Sequence, residues 1–194
     1  KEFVPDGLVN VNSYVFARPK ITVILKEVNA KNSLDLMNFL RKGAEGGKTW
    51  NNTSRWVANI LYGKNYDKVD YIGEKERKKY LAPISVINLK KTHGGGTAHN
   101  SEIDKFAKTD KEFIKKQLEI YHPDIIICGG TGDIFIQDIL DLNTSDWTYV
   151  SDYFSYLIYK NKIIVRTYHP GSSKSKTDFF EKVALPIKEL WLNQ

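Results

Sequence analysis

The sequence predicts an α/β protein, a three-layer α/β/α sandwich around a central, mostly parallel four-stranded sheet. Short β-branched runs at 21–26, 84–88, 124–128 and 162–167 are separated by stretches with helical spacing. That is the pattern of strands buried on both faces of a parallel sheet. Three of the runs end in polar groups, at Glu27, at Asn88 and, through Arg166-Thr167-Tyr168, at His169. Ligands of such sheets bind outside the carboxyl ends of the strands. The three side chains are therefore expected on one rim although they are far apart in sequence.

The elements follow in order. Residues 1–20 read as an N-terminal arm with a turn at Pro5-Asp6-Gly7. After the first strand, residues 30–50 are loop-rich, with a short helix from Leu34 to Leu40. Thr53 or Ser54 can cap a helix carrying Trp56, Val57, Ile60 and Leu61, which Gly63 ends. Residues 74–81 suit a short charged helix. The stretch from Lys90 to Thr97, with three consecutive glycines, is expected to be irregular. Thr109 and Glu112 have capping-box spacing and open a helix to Tyr121. Gly129-Gly130-Thr131-Gly132 turns into a helix over 132–141, and 147–150 with 156–159 suit a hairpin. The last helix carries Phe180, Val183, Ala184, Ile187, Leu190 and Trp191 on one stripe, with a kink expected at Pro186.

Composition narrows the function classes. At 194 residues the chain suits a single domain, 1–194, with a sizeable core. Its 41% hydrophobic content marks a globular chain. No run reaches the roughly 20 apolar residues of a membrane span, and the opening residues lack the apolar centre of a signal peptide. The chain starts at Lys1 without methionine, so a trimmed or processed product is expected. The single cysteine, Cys128, excludes an intrachain disulfide and an all-cysteine metal or iron–sulfur site. It suits a reducing, cytoplasmic setting and reads as a small buried hydrophobe. The net charge of +6 favours a polyanionic partner, of which nucleic acid is the commonest. His93 and His99 lack companion ligands, and the 129–132 turn lacks dinucleotide or P-loop spacing. Neither a metal nor a cofactor is expected, and the chain is expected to act as a monomer.

A carboxylate, a carboxamide and an imidazole in one cleft suit chemistry on a nitrogen heterocycle. Five segments in order then resemble the uracil-DNA glycosylase superfamily, in particular the branch whose first motif reads G-E-A-P-G. Lys26-Glu27-Val28-Asn29-Ala30 stands at the first motif, and Gly47-Lys48-Thr49-Trp50-Asn51-Asn52 at the segment with a stacking aromatic. Val86-Ile87-Asn88-Leu89-Lys90-Lys91 stands at the strand ending in asparagine. The stretch from Tyr121 to Gly129 resembles its helix–Pro–strand–Gly segment, and His169-Pro170-Gly171 its closing H-P-S motif. Lys26 replaces a glycine, Val28 and Asn29 do not supply the A-P pair, Gly171 replaces the serine, and the iron–sulfur cysteines of that branch are missing.

The resemblance implies hydrolysis of the N-glycosidic bond of uracil or a related damaged base. Such an enzyme flips its target nucleotide out of DNA into a pocket. Trp50 would then stack on the base, and Asn88, with Asn29, would read its edge. Glu27 would stabilise the cationic sugar or orient water. His169 would stabilise negative charge on the leaving base. Gly94, Gly95, Gly96, Lys90, Lys91, Ser172, Ser173, Lys174 and Lys176 would hold phosphates.

Other roles stay open for the same residues. Glu27 can be a helix cap or surface charge, Trp50 a core residue, Asn88 a loop satisfier and His169 a turn residue. The altered first and last motifs also fit a catalytically impaired nucleic-acid or nucleotide-binding module. An enzyme acting on a free nucleotide is a third possibility.

Overall fold

The computed structural model describes residues 3–29, 34–95 and 98–194. Among them is a central sheet in the order β1 (Gly7–Leu8), β4 (Ile84–Asn88), β2 (Ile21–Leu25), β6 (Ile125–Gly129), β9 (Lys162–Thr167), β8 (Phe154–Tyr159), β7 (Thr148–Ser151). The four middle neighbours, β4, β2, β6 and β9, are parallel. The fold is therefore α/β with a mostly parallel sheet, but the sheet has seven strands and is mixed, not four-stranded. Two local causes extend it. Lys160 and Asn161 both adopt positive φ, the geometry of a two-residue hairpin turn. They fold β8 back onto β9 antiparallel, and β7 follows on its outer edge. On the other edge, part of the expected arm pairs with β4, Gly7 opposite Val86.

The strands alternate across the sheet as buried strands must. Ile21, Val23, Leu25, Ile125 and Ile127 join one apolar cluster, while Ile24, Ile126 and Cys128 join the other. The first cluster is covered by α2 (Leu36–Arg41), α3 (Lys48–Tyr62), α4 (Glu74–Leu81) and α9 (Leu185–Leu192). The second is covered by α5 (Asn100–Thr109), α6 (Lys111–Tyr121) and a π-helical turn at Phe135–Ile139. Cys128 is fully buried, and desolvation raises its thiol pKa far above the ordinary range, so it behaves as a small hydrophobe. Among the described residues no helix is long and apolar enough to cross a membrane.

Several boundaries moved for identifiable reasons. The main helix starts at Lys48, five residues before Thr53. Thr53 does not cap it, because its hydroxyl donates to the Thr49 carbonyl one turn back, at 2.8 Å. Thr109 likewise belongs to the preceding helix, through a 2.9 Å bond to the Lys105 carbonyl, and Asp110 starts the next. Pro186 sits in the first turn of α9, where a missing N–H is tolerated, after an irregular π-helical turn at Phe180–Ala184. His93–Gly94 (β5) is not irregular: it forms a short parallel ladder with Val28–Asn29 (β3). Three short helices, α1 (Val11–Phe16), α7 (Gly132–Ile134) and α8 (Lys176–Phe179), lie along the connections.

One acidic pair lies between α5 and the π-helical turn. Desolvation by burial, then hydrogen bonding and repulsion from Asp104, raise Asp138 to about 6. Lys108 contacts both carboxylates, at 2.8 and 3.6 Å. A carboxyl whose folded pKa is raised favours the fold while protonated, and that contribution is lost as pH rises through about 6. Asp138→Asn imitates the protonated form. It should raise the melting temperature at pH 8 and leave it nearly unchanged at pH 3, where the carboxyl is protonated in both the folded and the unfolded state, as read by thermal circular dichroism.

Candidate functional site

The parallel register places the site. Leu25 stands opposite Asn88, so the chain leaves β2 toward Glu27 on the rim where β4 ends. Gly129 stands opposite Thr167, two residues before His169. A cavity of about 270 Å³ on this rim is lined by Glu27, Asn29, Trp50, Asn88 and His169, with Phe39 and Thr49 among its other walls. Its size falls just below the roughly 300–1,000 Å³ usual for small-molecule sites. All five side chains nominated for catalysis or base recognition therefore share one slot.

Asn88 is 2% exposed, and its Nδ2 has no hydrogen-bond partner among the described residues. An unpaired buried amide donor costs about 1–3 kcal/mol. Its backbone N–H is satisfied separately, by the Asp6 carboxylate at 2.7 Å. The side chain is thus spared from holding the loop together, and the residue lines the cavity.

Trp50 lies in the first turn of α3, half-buried, where it packs against the first apolar cluster and also walls the slot. Asn52, half a turn on, donates from Nδ2 to the Pro170 carbonyl at 2.7 Å. Arg55 holds Asn52 in turn, at 2.9 Å, while also bonding the Val69 and Asp70 carbonyls. Helix α3 therefore delivers the aromatic ring and anchors the His169-Pro170-Gly171 segment. A Cβ on Gly171 would stand 2.5 Å from the Thr49 hydroxyl. Glycine at this position, where the resembled motif has serine, is matched to the threonine facing it.

His169 is oriented by its own loop. Its Nδ1 accepts the Gly171 N–H at 3.0 Å. That bond assigns the ring proton to Nε2 and makes this edge a donor. Burial, then the nearby Lys26 charge, lowers the imidazole pKa, so the neutral ring prevails at neutral pH. Lys26 itself bonds Asn100 at 2.8 Å.

Glu27 is neither a helix cap nor a surface charge. Its side chain is 5% exposed and forms an ion pair with Lys90, which is 1% exposed and also reaches Glu102 at 3.0 Å. Burial alone would lower the pKa of Lys90, but bonding to the two glutamates outweighs it and the net shift is upward. Gly94 packs under the same carboxylate so closely that a Cβ there would overlap it. Only a residue without a side chain fits that position.

The phosphate-contact candidates separate. Lys90 and Lys91 do not stand on a basic rim. The first is buried against Glu27, and the second is tied to Asp6 at 2.9 Å and to Gln117 at 2.7 Å. Gly94 serves packing, and Gly95 is exposed with open space around it. Gly96 lies outside the described residues. Ser172 is inward-facing, and its Oγ is buried without a partner among the described residues. Ser173 is exposed. Lys174 sits over the Tyr168 ring, 4.4 Å from its centroid, and Lys176 pairs with Asp70 at 2.5 Å. The sequence reading missed Phe39 and Thr49. The apolar stripe of α2 signals the first, but nothing local signals the second.

Compared with protein-family models and with curated proteins, the chain matches neither.

Two measurements check that geometry. Lys90→Met leaves the buried Glu27 carboxylate without its cation and should destabilise the fold by about 3–5 kcal/mol in chemical denaturation. The second is pH dependence. The unfolded imidazole of His169 takes up a proton near pH 6.5, whereas the folded one does so only at lower pH. The unfolded state then binds more protons, so stability falls as pH drops below about 6.5. His169→Gln should remove this part of the acid loss, making the difference in melting temperature between variant and wild type shift in the variant's favour from pH 7.5 to pH 5.

Proposed function

We propose that this chain is a DNA base-excision glycosylase on a uracil-DNA glycosylase-like fold. It hydrolyses the N-glycosidic bond of uracil, or of a related damaged base, flipped out of DNA. The observation that carries the reading is the unpartnered Asn88 amide, buried in a slot walled by Trp50, Glu27 and His169. A pyrimidine imide edge presents carbonyl acceptors for that donor, together with an N–H for the Asn88 carbonyl. The flat ring would lie against Trp50, a contact worth about 1–3 kcal/mol.

The chemistry follows from where charge develops. As the C1′–N bond breaks, its electron pair goes to the base and positive charge builds on the sugar. Glu27 would face the cationic sugar and orient the water whose oxygen bonds to C1′ and whose proton is released. His169, neutral with its proton on Nε2, would donate to the base oxygen that becomes anionic. A donor fixed there in advance binds the transition state more strongly than the substrate.

A second reading is a catalytically impaired nucleic-acid-binding module on the same fold. It is favoured by the ion pair that commits a Glu27 oxygen to Lys90. Alkali treatment of oligonucleotides carrying a single uracil, single-stranded and duplex, separates the two. The first reading predicts strand cleavage by wild type and a loss of about 10²–10³ in rate for His169→Ala, with Glu27→Gln and Asn88→Ala also impaired. Uncut oligonucleotides beside a working control glycosylase would reject it for uracil. Binding that survives Glu27→Gln and His169→Ala, with no base released by wild type, would select the second.

A further inference from the structure

A second cavity, about 550 Å³, shares His169 with the first among its lining residues. It opens between the 130–133 turn, the hairpin β7–β8 and the end of β9. Two of its lining residues hold buried hydroxyls, Thr167 Oγ1 and Ser172 Oγ, without partners among the described residues. Unpaired hydroxyls in a concave site point to a polar ligand. Two more lining residues are aromatic and left in water: Tyr149 is 67% exposed and Tyr168 36%.

The charge of the wall restricts what fits. Lys26 and Arg166 are balanced by Asp133 and Asp152. Asp133 pairs with Arg166 at 3.3 Å and accepts from the Trp147 indole at 3.0 Å, while Asp152 accepts from the Tyr149 hydroxyl at 2.8 Å. An interior so balanced suits an uncharged polar ring better than a phosphate. A cation stands beside it instead, Lys174 over the Tyr168 ring, where an anionic backbone can pass.

We infer that this cavity receives the base of a second, unpaired nucleotide adjacent to the everted one, and that the chain acts on single-stranded DNA. The inference rests on reading the smaller slot as the site of the everted base. In a duplex the neighbouring base is paired and stacked and cannot enter. In a single strand it is free to stack on tyrosine, and exposed aromatic rings with nearby cations are how single strands are held without sequence preference.

A binding cycle between protein and DNA tests this. The probes are fluorescein-labelled single strands with one 2′-fluoro-deoxyuridine, which resists hydrolysis, flanked either by ordinary nucleotides or by abasic tetrahydrofuran units. Fluorescence anisotropy is read for wild type, for Tyr149→Ala with Tyr168→Ala, and for both tyrosines changed to Phe. Removing the flanking bases should weaken wild type about tenfold, the scale of one stacking contact. The alanine pair should lose about tenfold on the ordinary strand and nothing further on the abasic one. The phenylalanine pair should match wild type, and duplex should bind less tightly than single strand. Equal losses by the alanine pair on both strands, or no loss, would overturn the inference, as would absence of binding to any strand. Because the cycle reads binding alone, coupling without uracil release leaves the cavity standing and removes the catalytic reading. Uracil release without coupling does the reverse.

Discussion

In-register parallel pairing of four strands is the constraint on which the rest of the molecule depends. Parallel strands must be joined by crossovers, so residues distant in sequence arrive at the same end of the sheet. Pairing of Leu25 with Asn88 and of Gly129 with Thr167 leaves little freedom in where Glu27, Asn88 and His169 emerge. A slip of one residue would send each strand's apolar set to the wrong face. The two separate apolar clusters, which share the strand residues alternately, hold the register against that slip.

Upon this rim the chain keeps interactions that are poor devices for stability. Burying Lys90 with Glu27 desolvates two charges, and such pairs are often no better than well-packed apolar residues. The pair does fix the carboxylate above Gly94, tying the loop after β2 to the loop after β4 across the short ladder of Val28–Asn29 with His93–Gly94. The unsatisfied Asn88 amide is a second departure from stability. The neutral His169, held by the Gly171 N–H, is a third. All three lie at one slot, which is where a protein is expected to accept local strain for function.

Much of this was legible in the sequence because it is local or periodic. Apolar runs gave the four central strands, helical spacing gave the body of α3, and a charged run gave the helix at Glu74–Leu81. Polar residues at strand ends gave the slot. The outer strands were not legible as part of the main sheet, because a hairpin's neighbour is set by tertiary packing. Thr53 and Thr109 misled because a threonine hydroxyl satisfies a carbonyl one turn back as readily as it caps a helix. Lys90 and Lys91 misled because a lysine's sequence position says nothing of its side chain's direction. Their carboxylate partners lie up to 85 residues away. The larger cavity was missed because its walls come from Arg166 and Tyr168, just before the motif, and from the hairpin.

The most direct measurement follows the Asn88 carboxamide itself in 1H–15N spectra while free uracil is added to the wild-type protein. The account predicts that the two Asn88 side-chain N–H signals move together with resonances of Trp50 and His169, all saturating at the same uracil concentration. An Asn88 carboxamide that stays still while uracil binds elsewhere, or while Trp50 alone responds, would contradict it.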